Sequence, residues 1–405
     1  MTLRQAILLA VCIAMVIPAG EGGLDAARAE VAASVADRPC FGAAARSPTT
    51  HCFDPSLTKT VFPTPSDALL EPNAPCRPFG RANLLFPCSF GARRTSVNDT
   101  TALIGDSHAS HWRAAVDVVA EARGWPGISI TRSGCPFIKA RVVIPPDQDV
   151  TCRRWNVELM DWLRRHPEVS SVFLSERSGA QYVHPKHASN FETAVRGHMN
   201  LWRALPHSIK HIFVIRDTPR NSTAAADCVR RTFALHERPA VLCARRRSKA
   251  LHRDPAVTAA HRLKSKRVHV LDMTRFFCDS AHCYPVVGGA LVHKDTNHIT
   301  AIFAKTLGRF MLRMVDEAFK RPVRPPIDAL LPDERVLADC VLGERALAVQ
   351  AGGWDKIEPE HLVRAKDCRA QLEQRAATIQ AAGIDGTFNR ANRYAAIRQV
   401  LDGHA

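Results

Sequence analysis

A serine in the setting of a nucleophile occurs in the tetrapeptide Gly-Asp-Ser-His at residues 105–108. It follows a short apolar run and opens a stretch with helical periodicity, so the Ser107 hydroxyl is expected between a strand end and a helix start. Backbone N–H groups and the helix dipole at such a place can stabilise a developing oxyanion. A serine that only caps a helix has the same setting, so Ser107 alone leaves catalysis and capping equally open.

A matching base stands far downstream in Asp295-Thr-Asn-His298, directly before the last long helical stretch of the main domain. Serine is a poor nucleophile until a base takes its proton, and a histidine base needs a third group to fix its tautomer and balance its charge. An aspartate three residues before a histidine in one loop can be that group. The two motifs together predict a triad of Ser107, His298 and Asp295, whereas His298 without the serine would indicate only a loop or capping histidine.

Five short apolar runs predict the buried strands that must position these residues. They are Thr101–Ile104, Gly127–Thr131, Ser171–Leu174, Ile209–Ile215 and Val268–Leu271. Amphipathic stretches predict five helices, His108–Arg123, Arg153–Arg165, Phe191–Leu205, Pro255–Lys264 and Thr300–Phe319. This alternation predicts an α/β fold in which right-handed crossovers place helices on both faces of a parallel sheet. Ligands of such sheets bind at the carboxyl ends of the strands, where Ser107 is expected.

The two motifs resemble the first and last sequence blocks of the SGNH (GDSL) hydrolases. The similarity extends to the exported SGNH domains that accompany acyltransferase-3 membrane modules, and it covers about residues 40–319. Three further blocks agree in order, namely Ser133-Gly-Cys-Pro-Phe137, Asp217-Thr-Pro-Arg220 and the segment from Cys278 to Cys283.

This resemblance implies a three-layer α/β/α fold of the flavodoxin-like type with a five-stranded parallel sheet. It also implies a serine O-acyltransferase or carboxylic ester hydrolase whose substrate is an envelope polysaccharide that is O-acetylated or accepts an acetyl group. The implied reaction is ping-pong acyl transfer, in which Ser107 forms an acyl-enzyme that a sugar hydroxyl or water resolves. No metal or other cofactor is expected.

The segment after the third predicted strand departs from the family pattern. The family's asparagine is not evident there, and Ser-Glu-Arg-Ser-Gly stands at residues 175–179. We therefore expect the backbone N–H groups of Ser107 and Gly134 to form the oxyanion hole, although Gly134 equally suits a turn glycine. Arg177 is a further candidate for an oxyanion or substrate contact, against the plainer interpretation of a surface ion pair. His108, which follows the nucleophile, is a reserve candidate for a substrate contact.

The second departure from the family pattern is that the sequence shows no acyltransferase-3 membrane bundle. After the N-terminus, no stretch is apolar over the roughly 20 residues that a bilayer crossing requires. We therefore expect either a partner that supplies the acyl group, such as a membrane acyltransferase, or a hydrolase of acyl esters.

The N-terminus predicts export. Arg4 precedes an apolar run at residues 6–17 that ends at Pro18, and Ala27-Arg-Ala29 resembles a signal cleavage site. The pattern of a secretion signal outweighs the alternative of a buried N-terminal helix. The protein is expected to be periplasmic, secreted or anchored by an uncleaved signal.

The cysteine pattern agrees with export. Once Cys12 in the signal is set aside, the remaining cysteines fall into adjacent pairs, which predicts six local disulfides in an oxidising compartment. Two of the predicted pairs bracket loops beside the proposed site, Cys135 with Cys152 and Cys278 with Cys283. The rival hypothesis is a zinc site that includes Cys278 and Cys283, but a clear second half of the ligand set is missing.

Composition predicts the segments of the chain and argues against one class of binding partner. We predict a signal or anchor at 1–29, a Cys- and Pro-rich segment at 30–100, the SGNH-like catalytic domain at 101–320 and a helical extension at 321–405. The net charge is +16, but the basic residues are dispersed and aromatic residues are few, which argues against nucleic-acid binding. A solvated basic surface, or attraction to anionic envelope polymers, is the remaining interpretation.

Two other functions stay open at this point. One is an ordinary secreted esterase for small acyl esters. The other, from a different class, is a non-catalytic SGNH-fold protein that binds or assembles envelope carbohydrate. The intact set of Ser107, Asp295 and His298 argues against the latter, because a binding protein does not need all three side chains.

Overall fold

The computed structural model describes residues 38–47, 52–78, 80, 83–92, 99–319, 330–351, 356–381, 393–394, 396–398 and 400–401. The predicted secretion signal lies outside the described residues. No helix in these ranges is both long and apolar enough to cross a membrane.

The strands of the described residues are mostly short, and five of them coincide with the predicted apolar runs. They are β1 (Arg77–Pro78), β2 (Cys88–Gly91), β3 (Thr100–Gly105), β4 (Pro126–Thr131), β5 (Val169–Ser175), β6 (His211–Ile215), β7 (Arg245–Arg246), β8 (Val268–Leu271), β9 (His282–Cys283), β10 (Val286–Val287) and β11 (Ala290–Leu291). Seven of them form one sheet in the order β1-β2-β4-β3-β5-β6-β8. The five predicted strands are β3, β4, β5, β6 and β8, and they pair in parallel.

The predicted sheet lacked two strands that the structure contains. β1 and β2 extend the parallel sheet at one edge by antiparallel pairing with each other and with β4. Both come from the Cys- and Pro-rich segment and are too short to show a strand period. The disulfide between Cys76 and Cys88 joins them. Their position was decided by tertiary pairing and not by an apolar run.

Two 3₁₀ turns, Gly42–Arg46 and Pro55–Lys59, precede the helices. The helices are α1 (Pro65–Leu70), α2 (Ser107–His111), α3 (Arg113–Ala122), α4 (Pro146–Arg165), α5 (Asn190–Ala204), α6 (Thr223–Ala234), α7 (Pro239–Leu242), α8 (Arg247–Ala250), α9 (Pro255–Leu263), α10 (Thr274–Phe277), α11 (Ala301–Phe319), α12 (Pro332–Ala351) and α13 (Pro359–Ala381). The stretch predicted as one helix from His108 divides at Trp112 into α2 and α3. α4 begins before its predicted start. The prediction missed the first turn because that turn is polar and adds nothing to the apolar period.

Side chains of the parallel strands alternate between two apolar layers, as a sheet covered on both faces requires. Leu103, Phe173 and Phe213 belong to the core that includes the buried faces of α3 and α11. Their neighbours Ile104 and Leu174 belong to the opposite core, with residues of α4, α5 and α9. The fold is therefore a three-layer α/β/α structure, as the sequence predicted.

The parallel strands have the flavodoxin-like order, in which the first strand, β3, lies between the second, β4, and the third, β5. The direction of connection reverses between β3 and β5, and open α/β sheets bind ligands at the carboxyl ends of strands beside such a reversal. Ser107 begins the helix that follows β3. The topology therefore brings the candidate nucleophile to the expected edge of the sheet.

The segment before β3 packs on the α/β layers as well as extending their sheet. Phe41 and Leu57 are buried in the same core as α11. The backbone N–H of Ala43 donates to the hydroxyl of Thr306 on that helix at 3.0 Å. A division of the chain at residue 100 thus separates segments that share one core.

The helical C-terminal region has a small core of its own. α12 and α13 contact each other, and a disulfide joins Cys340 to Cys368 across them. Leu372, Ile379 and Ile397 are buried in that core.

Candidate active site

A strict backbone requirement fixes the start of the nucleophile helix. Gly105 has φ +146°, and a β-carbon there would lie 2.0 Å from the carbonyl oxygen of Ser175 on β5. Only glycine fits this close approach. Asp106 then caps α2, because its Oδ1 accepts from the N–H of His108 at 2.8 Å while its Oδ2 accepts from the N–H of Arg177 at 3.0 Å. Ser107 is thereby held between the ends of β3 and β5.

The loop that carries the candidate base lies between the β10–β11 hairpin and α11. The backbone N–H of Lys294 donates to the carbonyl of His298 at 2.9 Å, which closes the loop at its base. Oδ1 of Asp295 accepts from the N–H groups of Asn297 at 2.8 Å and His298 at 2.7 Å. One carboxylate oxygen therefore shapes the loop and leaves Oδ2 for another partner.

The three side chains named from the sequence form one line of contacts. Nδ1 of His298 lies 2.6 Å from Oδ2 of Asp295, and Nε2 of the same ring lies 2.9 Å from Oγ of Ser107. If Nδ1–H donates to the carboxylate, Nε2 is the acceptor for the serine hydroxyl proton. This is the geometry that a serine nucleophile, its base and an orienting carboxylate require.

The surroundings of the line of contacts keep Asp295 ionised. Partial burial acts to raise the pKa of Asp295, but hydrogen bonds from the His298 side chain and from the N–H groups of Asn297 and His298 lower it by more, so the net shift is downward. The side chains of His298 and Asp295 are 26% and 40% exposed. A reactant can therefore approach the imidazole from solvent while the carboxylate stays charged.

A second histidine–aspartate pair lies in the interior beside the first. Nδ1 of His108 is 2.6 Å from Oδ1 of Asp217, and both side chains are 2% exposed. The ring centroid of His108 is 5.1 Å from that of His298. Burial lowers the pKa of His108, but the charge and hydrogen bond of Asp217 raise it by more; burial likewise raises the pKa of Asp217, and His108 lowers it by more. The directions of both shifts are those of an imidazolium–carboxylate pair.

Asp217 ties together the loops that surround the site. Its Oδ2 accepts from the N–H of Ser178 at 2.8 Å, in the loop after β5, and its Oδ1 accepts from the N–H of Thr218 at 2.9 Å. The Thr218 hydroxyl donates to the carbonyl of Asn297 in the base loop at 3.2 Å. The backbone N–H of Asp217 in turn donates to Asp254 at 2.8 Å. This carboxylate therefore links the ends of β5 and β6 with the loop that carries His298.

A third histidine supports the base loop from below. His111 is buried beside His108 and His298, and its Nδ1 accepts from the N–H of Ile299 at 3.4 Å. Burial, followed by the charges of the neighbouring histidines, lowers the pKa of His111 well below its ordinary value. The neutral ring can accept this hydrogen bond without placing another cation beside His298.

The predicted disulfides beside the site are present. Sulfur atoms of Cys135 and Cys152 bond at 2.00 Å, and those of Cys278 and Cys283 bond at 2.03 Å. The other four adjacent pairs also form disulfides. The cysteines of the rival zinc hypothesis are therefore bonded to each other, and the described ranges contain no group of three or more His, Cys, Asp or Glu side chains with metal-site geometry.

Comparison with known families bears on this arrangement directly. The family model for the SGNH domain fused to AT3 domains matches residues 75–313, more than half of the chain. The chain belongs to this SGNH family. No curated protein matches it in sequence. Among solved structures, the lipopolysaccharide acetyltransferase periplasmic domain of Salmonella ser. Paratyphi A is similar at 12% identity and a TM-score of 0.41, with 56% of this chain and 85% of that chain covered.

The loop after β5, where the SGNH asparagine is not evident, contains a buried acid. Glu176 follows β5, and its side chain is 7% exposed. Burial, followed by the charge of Asp106, raises the pKa of Glu176 well above its ordinary value. Its Oε2 lies 3.6 Å from Nε2 of His198, too far for a hydrogen bond, and burial lowers the pKa of that histidine to about 3. Burial therefore acts against the charged form of both side chains, in the loop where the SGNH pattern led us to expect an asparagine.

The other predicted contacts of the SGNH site lie in three different settings. Gly134 is exposed in the turn after β4, with φ +69° and no atom within 4 Å of a β-carbon built there. That turn is held near the nucleophile because the N–H of Arg132 donates to the carbonyl of Gly105 at 3.0 Å. The Arg177 side chain is exposed, so it remains a candidate for contact with a substrate. His108, in contrast, is buried against Asp217 and lies in the interior behind the triad, not on the rim.

Sequence reasoning did not identify the roles of Asp217 and Glu176. Each follows the last residue of a parallel strand by one or two positions, β6 for Asp217 and β5 for Glu176. A search for acidic residues at the carboxyl ends of predicted strands would have found both. Their burial, which gives them structural roles, depends on the layers packed around them.

Proposed function

We propose that this protein is a serine O-acyltransferase or carboxylic ester hydrolase that acts on acyl groups, chiefly acetyl groups, of cell-envelope polysaccharide. The observation that carries the proposal is the unbroken line of contacts from Ser107 through His298 to Asp295, at 2.9 and 2.6 Å. Membership of the SGNH domain family fused to AT3 domains supports acyl chemistry.

In the proposed first half-reaction, the Oγ of Ser107 attacks the carbonyl carbon of an acyl ester. Nε2 of His298 takes the hydroxyl proton as the new C–O bond forms, and Asp295 stabilises the imidazolium. The negative charge on the carbonyl oxygen is met by the backbone N–H groups of Ser107 and Gly134. Collapse of the tetrahedral intermediate returns the proton to the leaving oxygen and leaves the acyl group on Ser107.

In the second half-reaction, a sugar hydroxyl or a water molecule attacks the acyl-enzyme. His298 removes the proton of the attacking oxygen and then returns it to Ser107. A sugar acceptor gives O-acyl transfer, and water gives ester hydrolysis. We propose that a membrane acyltransferase supplies the acyl group for transfer, in keeping with a family whose members are fused to such modules.

Turnover of a chromogenic acetyl ester, with and without glycan acceptors, tests this proposal. We expect wild-type protein to release the chromophore, and intact-mass measurement after rapid quenching to find one acetyl group on the peptide that contains Ser107. Ser107→Ala should lose at least about 10⁴-fold in kcat, because the attacking atom is gone. Its free energy of unfolding should change little, since one partly exposed hydroxyl contributes little to stability.

The same experiment separates the proposed enzyme from a non-catalytic carbohydrate-binding or assembly protein. Such a protein would bind glycan without forming acetyl-Ser107 and without turnover. Ester cleavage that persists in Ser107→Ala would assign the activity to another residue. Faster chromophore release on addition of a glycan, with acetyl recovered on that glycan, would identify a transferase; acetate release alone would identify a hydrolase.

A further inference from the structure

Three arginines lie on neighbouring segments beside the proposed site. Arg177 lies in the loop after β5, Arg220 lies in the loop after β6, and Arg245 belongs to β7. The N–H of Arg177 bonds to Asp106, next to the nucleophile. A β-carbon on Gly179 would lie 1.7 Å from a terminal nitrogen of Arg220, so that guanidinium lies against the loop that carries Arg177.

Arg220 and Arg245 lie against each other beside the loop that carries the base. The guanidinium of Arg245 donates to the carbonyl oxygen of Arg220. Both residues line a small cavity of about 10 Å³, enough for about one water molecule. The N–H of the next residue, Asn221, donates to the carbonyl of Thr296 at 2.8 Å, and Thr296 lies between Asp295 and His298 in sequence. Backbone contact therefore joins these two arginines to the loop that carries the base.

These three guanidinium groups have no carboxylate partner within the part of the chain that the structure describes. Arginines elsewhere in the same domain have carboxylate partners: Arg123 pairs with Asp316 at 2.7 Å, and Arg262 pairs with Glu192 at 2.7 Å. Guanidinium groups without a carboxylate partner can bind an external anion.

The nearby acids are hydrogen-bonded to the protein backbone and form no ion pair with this cluster. Asp106, Asp217 and Asp254 are buried, and all three accept hydrogen bonds from backbone N–H groups. The positive field also shows in a neighbour: burial, and then the charges of Arg220 and Arg245, lower the pKa of His252. An arginine cluster of this kind attracts and can bind bidentate anions, carboxylate or phosphate.

We propose that Arg177, Arg220 and Arg245 form a binding surface for the acceptor or donor glycan, and that this glycan carries anionic groups, carboxylate or phosphate. This inference rests on the proposed function, because it assigns the substrate class of the same site. Anion binding by the three arginines would lay the sugar chain across the loops after β5 and β6, with its hydroxyls beside Ser107.

Binding can be measured apart from turnover in full-length Ser107→Ala protein. The probes are an oligogalacturonate hexamer, its fully methyl-esterified form, which has the same chain without charge, and a phosphorylated hexasaccharide. We expect at least one anionic probe to bind at least about tenfold more tightly than the esterified hexamer. That preference should decrease as salt is raised, because ions screen the exposed charges.

Charge-matched variants locate the binding surface. Arg220→Gln combined with Arg245→Gln should weaken binding of the anionic probe by about tenfold or more, and Arg177→Gln, whose side chain is exposed, should weaken it without a folding defect. The control is Lys210→Gln combined with Lys266→Gln, which removes two exposed positive charges before β6 and β8, at the opposite edge of the sheet. This control should leave probe affinity within about twofold.

The outcomes separate this inference from the proposed function. Equal affinity for charged and esterified probes, or an equal loss in the lysine control and in Arg177→Gln, would overturn the anionic-glycan inference while leaving Ser107-dependent ester turnover untouched. Absence of that turnover in the wild type would instead contradict the proposed function, whatever the probes bind.

Discussion

Two histidine–aspartate pairs with the same distance between nitrogen and oxygen lie side by side in this protein, and their surroundings differ. His298 and Asp295 are joined at 2.6 Å in a partly exposed loop, and the free ring nitrogen faces a serine hydroxyl. His108 and Asp217 are joined at the same distance, but they are buried and Asp217 also accepts from two backbone N–H groups.

The difference shows that the pair itself does not define a base. A base needs a ring nitrogen that a proton donor can reach. Of the two histidines, only His298 has such a nitrogen, because its Nε2 faces the hydroxyl of Ser107. Nε2 of the buried His108 ring has no hydrogen-bond partner among the described atoms. The interior pair holds loops in place, whereas the exposed pair is placed to move a proton. Substitutions in each pair should therefore have different consequences.

The largest effect is expected for Asp295→Asn. The amide no longer balances the imidazolium and can hold His298 in the wrong tautomer, a change that costs about 10⁴ in rate in a serine protease triad. That loss corresponds to roughly 5 kcal/mol of transition-state stabilisation. Steady-state kinetics on a chromogenic acetyl ester should find the loss in kcat, with KM changed much less. A variant within a few-fold of wild type would move the orienting role to another residue.

A smaller kinetic effect and a larger stability effect are expected for Asp217→Asn. An asparagine has one acceptor oxygen and adds N–H donors, so it cannot satisfy His108, Ser178 and Thr218 together. A buried group left unsatisfied costs about 1–3 kcal/mol, which urea unfolding would measure. Because Asp217 positions loops and does not contact the serine, kcat should fall by less than about 10²-fold, the cost of a small misplacement.

The comparison would fail if Asp217→Asn and Asp295→Asn behaved alike. A loss near 10⁴-fold in kcat for Asp217→Asn, with unchanged stability, would place His108 in proton transfer. Asn297→Ala serves as a matched control, because Thr218 contacts the backbone carbonyl of Asn297 and not its side chain. Its unfolding free energy should stay close to that of the wild type.

The smallest effect is expected for Glu176→Gln, and it should depend on pH. Burial raises the folded-state pKa of Glu176 above its ordinary value of 4.5, so the stability tied to its proton is present below that value and is lost as pH rises through the folded-state pKa. Glutamine carries no such proton. The unfolding free energy of Glu176→Gln relative to wild type should therefore increase between pH 4 and pH 8.

An exposed acid supplies the control for that pH dependence. Glu237→Gln removes a carboxylate from an exposed position, and its stability difference from wild type should change little over the same range. Urea unfolding of all three proteins at pH 4, 6 and 8 makes the comparison. A flat difference for Glu176→Gln would mean that Glu176 is as ionised in the folded protein as in the unfolded chain.

The prediction of helices and strands was correct where burial requires a regular pattern of apolar residues. β3, β5 and β6 contain alternating residues that fill two cores, and a short run of such residues is visible in the sequence. The prediction missed β1, β2 and the break at Trp112 because these features depend on contacts with distant segments. The Cys- and Pro-rich segment was predicted as separate from the catalytic domain, but its strands extend the same sheet.

What the sequence determined by itself is a set of motifs and their order along the chain. Gly-Asp-Ser-His after an apolar run, Asp-x-x-His before a helix and adjacent cysteine pairs are local patterns, and each depends on residues that are close in sequence. These patterns are sufficient to name the SGNH resemblance, the candidate triad and the disulfides beside it.

Only the tertiary structure decided which polar residues became buried and which stayed open. Asp217, Glu176 and Asp295 are all acids near the carboxyl edge of one sheet, and only Asp295 belongs to a local motif that predicted its partner. Burial by the surrounding layers raises the pKa of Glu176, the neighbouring His108 lowers that of Asp217, and a partly open loop leaves Asp295 to orient His298. Desolvation depends on atoms distant in sequence, so the role of each acid follows from the packing around it.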